Sequence, residues 1–330
     1  MRHYFLTGIL SILFSIPFAS AIHPRELDYS EVDRYVLALD SSKTRNLDEL
    51  VQHLSVFDSE IMRFRAAFRW VAHNIAYDVE DLKRGKKRKK PQTAERTFAD
   101  RSAVCGGYAN LLQHVCSHLE INSEYVVGVG KNDIEDIQDK TLPGNHAWNA
   151  VKLDGKWYLC DVTWASGHVS ERSDTFAFSW EEHWYLTEPA VFAIDHFPDD
   201  RQWFLGGERE SPAEYARRPV IRIWHQEITF HKYRPVRGDL KSKKEEPFTF
   251  GISMKDGKRP SGLLVVKKRV RNAEGKIQWE TKSSQSLLLS NIEKKGKGFQ
   301  FSCIIPETGT YTILIRILGQ GLFKYHVKVY

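Results

Sequence analysis

Residues 145–164 read NHAWNAVKLDGKWYLCDVTW, and this stretch decides how the middle of the chain folds. Two largely apolar runs, residues 147–153 and 156–162, are separated by Asp154-Gly155. An Asp-Gly pair between such runs is typical of a two-residue β-hairpin turn, because both turn positions require positive φ. The sequence therefore predicts a tight antiparallel hairpin.

The predicted turn also decides which side chains of the hairpin share a face. With a two-residue turn Leu153 pairs with Lys156, which places His146 and Asp161 on one face, offset by two positions. Such diagonal neighbours lie roughly 7–8 Å apart at Cα, so an imidazole and a carboxylate can reach each other there. A turn longer or shorter by one residue would put them on opposite faces.

A helix is predicted for residues 104–119, where apolar residues recur at helical spacing, and Cys105 stands in its first turn. The N-terminus of a helix carries partial positive charge and free N–H groups, which favour the thiolate form of a cysteine. Gly106 and Gly107 would let a substrate backbone approach, and the amide of Cys105 itself could help to bind an oxyanion. A nucleophilic cysteine also needs a base and a group that orients the base. The hairpin histidine and aspartate are the candidates for these two roles.

Three segments resemble the signature segments of the transglutaminase-like superfamily, which has a papain-like core: residues 104–109 (VCGGYA), 145–151 (NHAWNAV) and 157–164 (WYLCDVTW). Residues 70–78 (WVAHNIAYD) resemble the helix that opens this core. Two further segments resemble the kyphoscoliosis-peptidase and fungal cytokinesis-protein branch: residues 183–189 (HWYLTEP) and 195–200 (DHFPDD). The resemblance covers about residues 60–205 and extends only loosely to the C-terminal region.

The resemblance implies that Cys105 is a nucleophile, His146 a general acid and base, and Asp161 the carboxylate that orients the imidazole. An acyl-thioester on Cys105 would give peptidase or amidase products with water and transglutaminase products with an amine. We prefer hydrolysis, with a protein or peptide as substrate and cell-envelope components among the candidates. Some members of this branch have lost the cysteine and are thought to be scaffolds. The alternative is therefore a non-catalytic protein-binding scaffold with a β-sandwich docking domain.

Five residues near the predicted triad are candidates for lining a substrate groove: Gly106, Gly107, Tyr108, Trp148 and Trp164. For Trp148 and Trp164, packing in the core is the default interpretation and the groove is the alternative.

The sequence indicates neither a metal nor a cofactor. His114 and His118 stand four residues apart on the predicted helix, but no third ligand is evident, so we interpret them as exposed helix residues. There is no phosphate-binding glycine loop and no dinucleotide fingerprint. The remaining cysteines, Cys116, Cys160 and Cys303, are interpreted as buried thiols, with a Cys116–Cys160 disulfide left open.

The first 21 residues have the pattern of a cleavable signal peptide. Arg2 precedes an apolar stretch that ends in Ala19-Ser20-Ala21, a small-x-small cleavage site. The sequence therefore predicts an exported protein, periplasmic or secreted, whose mature chain starts at Ile22.

The amino-acid pattern of the rest of the chain changes near residue 220, and the predicted fold class is α+β. After residue 220, β-branched and aromatic residues alternate with polar ones in seven short runs, which predicts an antiparallel β-sandwich of immunoglobulin-like size. The predicted layout is an N-terminal helical segment (22–57), a papain-like transglutaminase core (58–205), a linker (206–219) and the β-sandwich (220–330).

The positive charge of the chain is concentrated in one run. The 330 residues carry a formal net charge of +6, yet Lys83 to Lys90 alone reads KRGKKRKK. Outside this run the charges nearly balance, so a continuous cationic face for nucleic acid is not expected. The run is either a solvated loop whose charges repel each other or a contact with an anionic surface. The residues of that contact would be Lys86, Lys87, Arg88, Lys89 and Lys90. The oligomeric state is left open.

Overall fold

The structure, a computed structural model, describes residues 23–40, 42–84, 91–137, 142–170, 174–207, 210–223, 230–254, 259–286, 293–295, 298–317 and 321–330. The predicted signal peptide (1–21) and the predicted anionic contact (86–90) lie outside these residues and stay predictions. Within the described part of the chain, no helix combines the length and apolar character needed to cross a membrane.

Residues 30–118, in their described part, are mainly helical. The α-helices of this region are α1 (Ser30–Leu37), α2 (Leu47–Leu54), α3 (Glu60–Asn74), α4 (Val79–Arg84), α5 (Ala94–Asp100) and α6 (Cys105–His118). Helix α3 begins behind Ser59, whose hydroxyl accepts a hydrogen bond from the N–H of Met62 and so caps the first turn. Phe64, Phe68 and Val71, on the inward face of α3, are fully buried in the main core, as their helical spacing predicts.

The strands of the central region are β1 (Ala76–Tyr77), β2 (Ser102–Ala103), β3 (Asn122–Gly130), β4 (His146–Leu153), β5 (Lys156–Cys160), β6 (Gly167–Val169), β7 (Phe176–Phe178) and β8 (His196–Pro198). Strands β5, β4, β3 and β8 form one antiparallel sheet in that order. Helix α6 contacts β3 and β4. This packing brings the first turn of α6 to the start of β4.

The hairpin register predicted from the sequence is confirmed. Leu153 pairs with Lys156, and Asp154-Gly155 has φ of +47° and +80°, as a type I′ turn requires. Strand β5 ends at Cys160, two residues before the predicted end. The reason is that Asp161 leaves the ladder to cap a short helix, α7 (Val162–Ser166).

A buried arginine ties the N-terminal helices to the core. Arg65 of α3 has a side chain only 3% exposed, and its guanidinium contacts Asp33 of α1 at 2.7 Å and Glu182 at 2.5 Å. The same group lies over the rings of Tyr29 and Tyr185, 4.7 and 4.6 Å from their centroids. Two carboxylates and two aromatic faces thus replace the water that a buried cation loses.

The region before the β-sandwich contains α8 (Pro189–Phe192) and α9 (Pro212–Arg217). Helix α9 lies within the segment predicted as a linker, and Ser211 and Glu214 form a capping box at its start. The buried ammonium of Lys131, just after β3, donates hydrogen bonds to three carbonyl oxygens at the end of α9, those of Tyr215, Ala216 and Arg218. The core therefore holds the point where the β-sandwich begins.

The C-terminal region is a sandwich of two sheets. Its described strands are β9 (Val220–Ile223), β10 (Phe230–Arg234), β11 (Asp239–Ser242), β12 (Pro247–Met254), β13 (Gly262–Arg271), β14 (Ile277–Ser286), β15 (Glu293–Lys295), β16 (Gly298–Ile304), β17 (Gly309–Ile317) and β18 (Gly321–Val329). One sheet has the order β10-β12-β16-β15. The other has the order β11-β18-β17-β13-β14, with β9 also beside β18.

The two sheets share one core, in which Phe250 of the first packs on Tyr325 of the second with ring centroids 5.1 Å apart. Each of the seven predicted strands overlaps an observed one. Strands β10, β11 and β15, which are three to five residues long, were missed.

Candidate active site

Cys105 is the first residue of α6, as the sequence predicts. The residue before it, Val104, makes no side-chain capping bond, so the partial positive charge of the helix N-terminus is directed at the thiol. Cys105 is partly exposed, whereas Cys116 and Cys160 are buried. This is the one thiol of the core that a substrate could reach.

His146 stands at the start of β4 and is 8% exposed. Its Nε2 lies 2.6 Å from Oδ2 of Asp161, which leaves Nδ1 as the nitrogen available to the thiol. The side chains of Cys105 and His146 are hydrogen-bond partners. The structure therefore brings together the three residues that the sequence predicted as a triad.

Asp161 is held by the backbone of the short helix that follows it. As the N-cap of α7 it accepts hydrogen bonds through Oδ1 from the N–H groups of Thr163 and Trp164, at 2.9 and 3.0 Å. Oδ2 is thereby directed to His146. The carboxylate is fully buried, and its orientation is fixed before any substrate binds.

The electrostatics favour a thiolate–imidazolium pair. Burial raises the pKa of the Cys105 thiol, but the hydrogen bond and positive charge of His146 and a bond from the Ala147 amide outweigh it, so the pKa lies below its ordinary value. Burial lowers the pKa of His146, but the charge and hydrogen bond of Asp161 and the contact with Cys105 raise it overall to about 10. In Asp161 the two histidines that contact it outweigh burial and hold the carboxyl pKa far below its usual range.

The other three cysteines have the opposite setting. Burial raises the pKa of Cys116 and of Cys160 well above the ordinary value, and it raises that of Cys303 to about 12. All four cysteines are free thiols, so Cys116 and Cys160 do not form a disulfide. Cys303 was expected to be buried and is instead partly exposed.

Most of the predicted groove residues lie inside the protein. Gly106, Gly107, Tyr108 and Trp148 are buried, so their assignment to an open groove was wrong. Gly107 is needed for packing, since a Cβ there would lie 2.5 Å from Ala103 Cβ and Thr97 Oγ1. Trp164 is the member of the set that is partly exposed. Its ring stacks on His146 with centroids 5.0 Å apart.

Three residues that the sequence analysis did not assign complete the site. His196 of β8 contacts Asp161 through Nε2 at 3.1 Å and Asp195 through Nδ1 at 2.8 Å. Arg222 of β9 lies over the Trp164 ring, 4.4 Å from its centroid. His196 and Asp195 belong to the DHFPDD segment already quoted for the resemblance, and that segment was the signal that could have found them.

The structure offers one cluster with the spacing of metal ligands among the described residues. His146, Asp161 and His196 each direct one ligand atom to a common point, with all three atoms within 4.8 Å of one another. The donor–acceptor contacts of 2.6 and 3.1 Å account for this convergence, so we assign the cluster to proton handling. His118 lies exposed near the end of α6, where its Nδ1 contacts the carbonyl oxygen of His114.

The matching family model and the curated relatives indicate the same family. The family model described as the transglutaminase-like superfamily matches residues 50–162. The chain is 32% identical over 240 residues to the kyphoscoliosis peptidase of Mus musculus, which covers 67% of this chain and 35% of the relative. It is 30% identical over 266 residues to that of Homo sapiens, which covers 76% and 39%. The chain thus spans little more than a third of the length of these relatives.

A solved structure described as a TGase is also similar, with 21% identity and a TM-score of 0.29 over 42% of this chain and 37% of that one. The family match contains Cys105 and both hairpin residues of the cluster described above. Through residues 50–162, the chain belongs to the transglutaminase-like superfamily.

Proposed function

We propose that this protein is a cysteine enzyme that acts on amide bonds through an acyl-thioester on Cys105. The observation that supports this most directly is the thiol's surroundings. Cys105 stands at a helix N-terminus, is partly exposed, and is bonded to an imidazole whose other nitrogen is 2.6 Å from a buried carboxylate. This arrangement stabilises a thiolate and supplies a proton donor beside it.

In the first half-reaction the thiolate attacks the carbonyl carbon of the amide, and a C–S bond forms. The C–N bond then breaks, and the leaving nitrogen takes the proton held on Nδ1 of His146. Asp161 keeps the imidazole oriented and stabilises its positive charge. The products are a free amine and an acyl group bonded to sulfur.

In the second half-reaction an acceptor attacks the thioester and transfers a proton to His146, and the C–S bond breaks to regenerate the thiolate. Water as acceptor releases a carboxylic acid, whereas an amine forms a new amide. We propose hydrolysis, in keeping with the name peptidase that two relatives carry. Proteins or peptides are the proposed substrates, and cell-envelope components would be accessible to an exported enzyme.

A peptide mixture derived from a whole proteome tests this proposal when it is incubated with the full chain in ¹⁸O-labelled water and a fluorescent primary amine. Hydrolysis predicts new N-termini and carboxylates that contain ¹⁸O, whereas transfer predicts incorporation of the amine. Mass spectrometry reads both products in one sample.

Cys105→Ala should abolish both products, and Cys303→Ala should leave them unchanged, because Cys303 packs against the core of the β-sandwich and is not part of the triad. If Cys105→Ala retains the wild-type products, or if neither protein forms any, the enzyme proposal fails. The scaffold alternative would then be favoured.

A further inference from the structure

His196 occupies a symmetric place beside the catalytic histidine. Strand β3 lies between β4 and β8, with Gly128 opposite His146 and Gly130 opposite His196. A Cβ at Gly130 would lie 3.0 Å from atoms of His146, so the glycine leaves room for that ring above the sheet. The two imidazole rings thus lie on one face with centroids 5.5 Å apart.

Both nitrogens of His196 face carboxylate oxygens. Nδ1 is 2.8 Å from Oδ1 of Asp195, and Nε2 is 3.1 Å from Oδ2 of Asp161. An ionised carboxylate only accepts hydrogen bonds, so each nitrogen must carry a hydrogen. The ring that satisfies both partners is an imidazolium.

The surroundings of His196 exclude water. Its side chain is fully buried, and its ring is enclosed by four aromatic rings at centroid distances of 3.9 to 5.3 Å, those of Phe192, Trp164, Trp148 and Trp184. With no water to solvate the ring, the two carboxylates are its strong hydrogen-bond partners.

The charges near this ring alternate in sign. From the thiol outward the order is Cys105, His146, Asp161, His196 and Asp195, and Arg222 of the β-sandwich lies 3.7 Å beyond, at Oδ2 of Asp195. His183 also faces this row of ionisable groups. Burial is the main influence on its pKa, and the charges of Asp195, Arg222 and His196 have smaller effects. Burial lowers the pKa of His183 to about 4, so that ring adds no charge near neutral pH.

We propose that His196 is a positioning residue that acts as a fixed imidazolium between Asp161 and Asp195. It would act on the reaction in two ways, both of which rest on the proposed function. Its N–H donates to Oδ2 of Asp161 and so keeps this oxygen in the position from which it bonds to Nε2 of His146. Its positive charge offsets part of the Asp161 charge, so that His146 can still release its proton to the leaving amine.

The protonation of His196 can be measured without any substrate. In the full chain labelled with ¹⁵N-histidine, we expect the nitrogen shifts of His196 to show both nitrogens protonated at pH 7.5, with the signals assigned by their loss in His196→Gln. Asp195→Asn should convert the ring to a neutral tautomer, because an amide can donate to Nδ1. Asp199→Asn, an exposed position nearby, should change nothing. A neutral His196 in the wild-type chain would overturn the proposal.

The pH profile of Cys105 alkylation tests the effect on the triad. His196→Gln keeps a donor for Asp161 but removes the charge, so His146 should hold its proton more firmly. The alkaline step of the profile, at which His146 loses its proton, should therefore move up by about one pH unit relative to wild type. A purely structural role would loosen the triad and move this step down or leave it in place.

The two proposals fail in different ways. If Cys105 of the wild-type chain is inert to alkylation at pH 6 and no amide is cleaved, the enzyme proposal fails. If Cys105 is reactive but His196→Gln and Asp195→Asn leave the alkaline step unchanged, the positioning role of His196 fails alone.

Discussion

The reactivity of Cys105 should differ from that of the other three thiols at acid pH. A thiol with a pKa below its ordinary value retains more thiolate at pH 6 than Cys116, Cys160 and Cys303, whose pKa values burial raises. We expect iodoacetamide at pH 6 to label Cys105 at least about tenfold faster, allowing for the weaker nucleophilicity of low-pKa thiols. Peptide mapping measures the four rates.

The selectivity should depend on the imidazole. His146→Ala removes the positive charge and the hydrogen bond that lower the pKa of Cys105, so the thiol should return to a pKa at or above its ordinary value. Its labelling at pH 6 should then fall to the level of the other thiols while the fold, followed by circular dichroism, is kept. Equal labelling of all four thiols in the wild-type chain would contradict the thiolate assignment.

Replacing Asp161 by Asn tests the orienting carboxylate. The Asn oxygen can still accept from Thr163 and Trp164, but its amide would face the N–H groups of His146 and His196, which have no acceptor left. The pKa of His146 should fall from about 10 toward about 6.5, so the alkaline limb of the rate profile should move down. Turnover should fall by about 10²- to 10⁴-fold, less than in Cys105→Ala.

The control for this change is Asp200→Asn, because Asp200 also caps a short helical turn through its carboxylate but lies exposed. It should leave turnover and the His146 titration unchanged, both of which are measured by initial rates and ¹⁵N spectra. If Asp161→Asn keeps the alkaline limb near pH 10, Asp161 does not control the basicity of His146.

Two adjacent glycines of α6 offer a matched pair of substitutions that tests how closely this helix packs. Gly107→Ala would place a methyl group 2.5 Å from Ala103 Cβ and Thr97 Oγ1. We expect a loss of about 1–3 kcal/mol in the free energy of unfolding from this overpacking. Gly106→Ala meets Tyr125 Oη at 3.3 Å, and the better helix propensity of Ala offsets that contact.

Urea denaturation of the two variants and of the wild type measures this difference. The midpoint for Gly107→Ala should be clearly lower than that for Gly106→Ala, which should stay near wild type. Similar midpoints for both variants would mean that α5 and α6 can move apart, contrary to the close packing described here.

The attachment of the N-terminal helices to the core depends on Arg65. Arg65→Met keeps much of the side-chain volume but leaves Asp33 and Glu182 without their shared cation. Breaking a buried ion pair costs roughly 3–5 kcal/mol, and partial exposure of both carboxylates argues for about 3 kcal/mol here. Calorimetry should show a lower melting temperature.

Arg45→Met is the matched control, since Arg45 also bonds a carboxylate, that of Glu49, but is 73% exposed. It should leave the melting temperature unchanged. If Arg65→Met melts like the wild type, the N-terminal helices are held by their apolar contacts alone.

The local features of this chain could be predicted because each depends on neighbours in sequence. The hairpin register follows from Asp154-Gly155 and the two-residue period of a strand, and the start of α6 at Cys105 follows from the apolar spacing behind it. These two features placed His146 beside Asp161 and Cys105 at a helix start, and the family resemblance implied that the three would act together. The capping of α7 by Asp161 was missed, since residues 156–162 read as one strand.

Burial and long-range partners could not be predicted in this way. A tryptophan such as Trp148 has the same local pattern whether it lines a groove or fills the core, and only the tertiary structure shows it buried against Phe192 of α8 and His196 of β8. His196 reaches Asp161 because β8 pairs with β3, although 35 residues separate the two in sequence. Arg222 arrives from the β-sandwich. The sequence by itself thus determined the hairpin and the helix start, whereas only the tertiary structure decided the surroundings of the triad, because hydrogen bonding and exclusion of water depend on contacts that no local pattern encodes.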